Sequence, residues 1–106
     1  MKLMNLLSQL FGGAVKTNLS QLIDEGAFLV DVRTPGEFAG GHVKGSVNIP
    51  LDKVSSQMAK FKNQKNIIVF CQSGGRSAQA KSILQQHGIA NVTNGGSWHN
   101  VNRYVK

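Results

Sequence analysis

The sequence predicts an α/β fold with a mostly parallel central sheet flanked by helices on both faces. Three observations lead there. Ile67-Ile68-Val69-Phe70 is apolar at consecutive positions, as suits a strand covered on both sides in a parallel sheet. Segments of strand and helix character alternate along the chain. Asp31-Val32-Arg33 and Cys71 both fall at carboxyl ends of strands, where such sheets bind ligands.

The elements follow in order. Leu3, Leu6, Leu7, Leu10 and Phe11 fall on one helical stripe, so residues 1–13 read as an amphipathic N-terminal extension and 14–106 as one domain. Asn18 is placed to cap a short helix whose Leu19, Leu22 and Ile23 share a face, with Gly26 at its left-handed stop. Phe28 to Val32 reads as a strand. Thr34-Pro35-Gly36-Glu37 then has capping-box spacing with proline at the first helical position, and Gly40-Gly41 cuts that helix short. Val47-Asn48-Ile49 predicts a second strand closed by Pro50, and Leu51, Val54, Met58 and Phe61 one face of a helix. Lys62 to Lys65 is a solvated turn. After the Ile67–Phe70 strand, which belongs in the sheet centre, a helix begins near Arg76. Its Ala80, Ile83, Leu84 and His87 share a face, and Gly88-Ile89 ends it. Asn91-Val92-Thr93 is a weaker final strand.

With 41% hydrophobic and 16% charged residues the chain has the composition of a folded globular domain. Its charge is lopsided. All five acids lie at or before Asp52, and the eight basic side chains from Lys53 onward give the second half a strongly cationic character within a net charge of +7. Such a field draws small anions. The lysines are scattered and aromatics do not alternate with them, which argues against nucleic acid as partner. Asn5, Ser8 and Gln9 interrupt the apolar opening and no membrane-length apolar run follows, so neither a signal peptide nor a transmembrane segment is predicted, and a cytoplasmic location is expected. A single cysteine excludes an internal disulfide and any multi-cysteine zinc site. His42, His87 and His99 lack ligand spacing, so no metal or other cofactor is expected.

That cysteine, Cys71, is followed by Gln72-Ser73-Gly74-Gly75-Arg76-Ser77. Glycines let backbone N–H groups close around one point, and the next helix turns the positive end of its dipole toward it. A cysteine there is a low-pKa nucleophile. An inert core thiol needs neither the glycine pair nor the arginine.

The same loop resembles the active-site loop of single-domain rhodanese sulfurtransferases, the thiosulfate sulfurtransferase-like family. Asp31-Val32-Arg33-Thr34-Pro35-Gly36-Glu37-Phe38 is similar to the family's D-V-R-x-x-x-E-[FY] segment. Gly41 to Pro50 is similar to its G-H-I-x-G-A-x-N-[IL]-P segment, and Asn94-Gly95-Gly96 to the glycine pair that follows its last strand. Together these cover Thr17 to Trp98. The chain departs from the family at Asn100, where a tryptophan often stands; its only tryptophan is Trp98.

The resemblance implies a rhodanese-like single domain that moves a sulfane sulfur by double displacement. Cys71 takes sulfur from thiosulfate or a similar small anionic donor as a persulfide, and an external acceptor removes it, either cyanide or a thiol on a small molecule or protein. Gln72, Ser73, Gly74, Gly75, Arg76 and Ser77 would bind the donor. Asp31 and Arg33 either orient the site from behind or form an ion pair bracing a strand end. Glu37 reads as the capping partner of Thr34, and His42 as a structural hydrogen-bonding residue rather than a general base. Two other functions use related parts. Cysteine phosphatases and arsenate reductases pair a cysteine with an arginine around an oxyanion, but their loop is one residue longer than Gln72 to Gly75. Catalytically silent modules of the fold bind or carry for partners, yet generally lack the cysteine.

Overall fold

The computed structural model describes residues 19–106; the predicted extension 1–13 and the Asn18 cap lie outside them. A helix α1 occupies 19–24. It is followed by β1 (Phe28–Asp31), α2 (Pro35–Ala39), β2 (Val47–Asn48), two 3-10 helices (Leu51–Lys53 and Ser55–Lys60), β3 (Ile67–Cys71), α3 (Gly75–Gln86), β4 (Val92–Ser97) and α4 (Trp98–Asn102).

The strands form one all-parallel sheet in the order β2-β1-β3-β4. Every residue of β3 is buried, because side chains alternate between the two faces and each face has its own apolar layer. Ile67, Val69 and Cys71 pack with Val30, Val32, Val54, Phe61, Ala80 and Leu84. Ile68 and Phe70 point the other way, into a layer with Leu19, Leu29, Val43 and Val101. The predicted α/β sheet with helices on both faces is therefore present, and Cys71 faces the α3 side.

Local signals set most boundaries. Thr34 Oγ1 accepts from the Glu37 N–H while a Glu37 carboxylate oxygen accepts from the Thr34 N–H, which is the complete capping box with Pro35 inside it. Gly26 takes a left-handed φ. At the end of α3, the Gly88 N–H donates to Gln85 and the Ile89 N–H to Leu84, at 3.0 Å each, closing the helix as the Gly88-Ile89 pair predicted.

Two expectations need correction. The single helix expected from Leu51 to Phe61 is instead two short 3-10 helices, with a non-helical Gln57 (φ −117°, ψ 32°). The same side chains still face inward: Val54 and Phe61 are buried, and Leu51 and Met58 pack on the same layer. The last strand is also longer than Asn91-Val92-Thr93, and the glycine pair lies within it rather than after it. Asn94 pairs with Val69 but Gly96 with Phe70, so Gly95 is the extra residue of a bulge. A Cβ on Gly95 would stand 2.6 Å from Val101 Cγ2 and 2.9 Å from Ile68 Cγ2; only glycine fits.

Candidate active site

Cys71 ends β3, and Gln72, Ser73 and Gly74 carry the chain over its side chain into α3. The Gly74 N–H donates to Cys71 Sγ at 3.0 Å. Gly74 adopts φ +99°, a left-handed conformation that side chains rarely take, so the turn that aims this N–H at sulfur requires glycine. Ser77, on the first turn of α3, brings its hydroxyl to 3.5 Å from Sγ.

Burial pushes the Cys71 thiol up. The Ser77 hydroxyl and the backbone N–H groups of Ser77, Ser73 and Gly74 outweigh it, taking the pKa from 9.0 down to about 7. Half the molecules would then carry a thiolate near neutral pH. The side chain is only 1% exposed, so a reactant reaches the sulfur past its own loop, whose Gln72, Ser73 and Gly75 are exposed.

Arg76 is held by a partner that lies far away in sequence. Its guanidinium donates to both oxygens of Glu37, at 2.7 and 3.0 Å, in a half-exposed bidentate pair. Glu37 therefore does more than cap α2. The Arg76 hydrogen bond, helped by Thr34, lowers its carboxyl from 4.5 to about 2, and Arg76 is raised above its ordinary value chiefly by the same pair. Beside Arg76 an open, mainly apolar groove of about 450 Å³ runs along Val32, Thr34, Pro50, Leu51 and Ile83.

Asp31 and Arg33 are buried together. Three hydrogen bonds join their side chains at 2.7–3.0 Å. Asp31 also accepts from the Arg33 N–H, while the guanidinium donates to the Gly41 carbonyl at 2.7 Å and lies 4.7 Å over the Trp98 ring. This pair braces the end of β1; none of these bonds reaches the Cys71 loop. His42 is exposed, shares a 2.8 Å hydrogen bond with the Phe38 carbonyl and stacks on the Phe38 ring. Among the described residues no three His, Cys, Asp or Glu side chains gather closely enough for a metal ion.

Sequence reasoning missed Asn94. Its Oδ1 accepts from the Gly96 N–H at 2.9 Å and from the Ser77 hydroxyl at 2.7 Å, and its Nδ2 donates to the Gly74 carbonyl at 3.2 Å. One amide thus joins the bulge of β4, the cysteine loop and the first turn of α3. The only signal for it was an asparagine immediately before a glycine pair.

The family model for the rhodanese-like domain matches residues 15–101. Thiosulfate sulfurtransferase PspE of Escherichia coli is 41% identical over 69 residues, covering 63% of this chain and 66% of that protein. The uncharacterized protein YqhL of Bacillus subtilis is 37% identical over 68 residues, covering 64% and 54%. The chain thus spans about half to two thirds of the length of these curated relatives. The solved structure of a rhodanese with anions from E. coli aligns at 36% identity with a TM-score of 0.64, covering 71% of this chain and 91% of that one. Among the described residues no helix is long and apolar enough to cross a membrane.

Proposed function

The chain belongs to the rhodanese-like domain family, and on that premise we propose that it is a rhodanese-type sulfurtransferase with Cys71 as the sulfur-carrying nucleophile. The observation that carries the reading is the 3.0 Å contact from the Gly74 N–H to Cys71 Sγ at the foot of α3. It favours an anion on that sulfur, and a low-pKa thiolate is the attacking form.

The chemistry balances without a cofactor. The Cys71 thiolate attacks the outer sulfur of thiosulfate; the S–S bond of the donor breaks and its electron pair leaves on sulfite. Cys71 then holds a persulfide whose terminal sulfur is anionic. Cyanide or an external thiolate attacks that terminal sulfur, the pair returns to Sγ, and thiocyanate or a new persulfide departs. There is no second cysteine in the chain to intercept the intermediate, so the acceptor comes from outside. Loop N–H groups from Gln72 to Ser77 would stabilise the charge at each stage, with the Arg76–Glu37 pair at their margin.

Mass spectrometry after incubation with thiosulfate tests this directly. One added sulfur atom on Cys71, released as thiocyanate by cyanide and absent in Cys71→Ser, is the expected result. Hydrolysis of p-nitrophenyl phosphate without sulfur loading would favour a phosphatase instead. Failure of both, with specific capture of a partner, would favour a binding module.

A further inference from the structure

The buried Ser77 hydroxyl has one proton and three acceptors around it. Asn94 Oδ1 stands at 2.7 Å, the Gly74 carbonyl at 3.1 Å and Cys71 Sγ at 3.5 Å. Two contacts independent of Ser77 fix the Asn94 amide: the Gly96 N–H donates to Oδ1, and Nδ2 donates to the Gly74 carbonyl. Turning the amide over would set donor against donor at the Gly96 N–H and acceptor against acceptor at the Gly74 carbonyl. Oδ1 therefore faces Ser77, and it can only accept.

While Cys71 is protonated, every group is satisfied. The thiol donates to Ser77 Oγ and the hydroxyl donates to Asn94. Once the thiol ionises, its sulfur is solely an acceptor, and the one hydroxyl proton is wanted in two places.

We propose that Asn94 is a positioning residue that acts through Ser77, its amide oxygen competing with the Cys71 thiolate for the hydroxyl proton and so restraining ionisation of the thiol. The gain is in nucleophilicity, which falls as a thiolate is stabilised. A sulfur anion left partly undonated attacks a donor faster than one fully hydrogen-bonded. Ser77 meanwhile stays within reach of Sγ for the moment when the persulfide bond breaks and the electron pair returns. This last role rests on the sulfurtransferase reading; the competition itself does not. The charged groups around the sulfur are Arg76 from α3, with Glu37 of α2 and Asp31 of β1 around that guanidinium, and Arg33 closed on Asp31. β4 carries no titratable side chain, so Asn94 acts there as a neutral dipole.

The test titrates thiolate ultraviolet absorbance in the reduced full chain. Asn94→Ala should lower the Cys71 pKa by about half a unit to one unit, the equivalent of one hydrogen bond. Asn94→Asp should raise it, since a charged acceptor holds the proton harder. Ser77→Ala should raise it too, and in that background Asn94→Ala should have no further effect. The Asp charge also raises the thiol by repulsion alone, so it is the Ser77→Ala background that separates competition from a merely structural role. An upward shift or no shift in Asn94→Ala, or a downward shift that survives Ser77→Ala, would overturn the proposal. A wild-type chain that titrates as described but never takes sulfur from thiosulfate would remove the proposed function and leave the competition standing.

Discussion

The Cys71 sulfur is governed by opposing effects, burial against hydrogen bonds that outweigh it, and its pH dependence reads out the balance. With the thiol at about 7 rather than 9.0, alkylation of the reduced protein by iodoacetamide should rise with pH and level off above about 7. The linkage has a definite sign. The folded chain gives up this proton more readily than the unfolded one, so the stabilisation is fully present above the unfolded value of 9.0 and disappears as pH falls through about 7. The melting temperature of the wild type relative to Cys71→Ser should therefore increase across that window; a constant difference would mean the amide contact does not favour the anion. The loop that closes over Cys71 and lowers its pKa was legible from Cys71-Gln72-Ser73-Gly74-Gly75-Arg76 because glycine, loop and helix dipole are all local. The roles of Asn94 and of Glu37 toward Arg76 were not. Their partners lie 17, 20 and 39 residues away, and the fold alone brings them together.

The elements divide the same way. β3, the α2 capping box and the end of α3 were legible because each is specified within a few residues: an unbroken apolar run, Thr34 against Glu37, Gly88-Ile89 after the last turn. The stretch from Leu51 to Phe61 was not, since apolar positions spaced three and four apart fit a loosely wound pair of 3-10 turns as well as an α-helix. The bulge in β4 was hidden too, because the requirement for Gly95 comes from Ile68 and Val101 packed around it. Gly95→Ala should force those side chains or the strand to move and cost about 1–3 kcal/mol, measurable by urea unfolding. It should also disturb Asn94 next to it. An alanine accommodated without loss would show that β4 and α4 are less tightly joined than these distances imply.

At the scale of the whole molecule, a net charge of +7 with every acid at or before Asp52 surrounds the cysteine half with a field that attracts anions. The Arg76–Glu37 pair cancels locally, so under the proposed reaction long-range attraction rather than one free arginine is what an anionic donor would meet first. Raising ionic strength should lower kcat/KM for thiosulfate while leaving alkylation by uncharged iodoacetamide nearly unchanged; equal responses would remove steering from the account. The sheet that creates this site also roofs it, since the loop joining β3 to α3 leaves the sulfur 1% exposed. Under the proposed reaction the polypeptide there would work as a sieve: slender reagents such as cyanide would slip through, and a protein that accepts sulfur would have to offer its thiol on a narrow, protruding tip rather than a broad flat face.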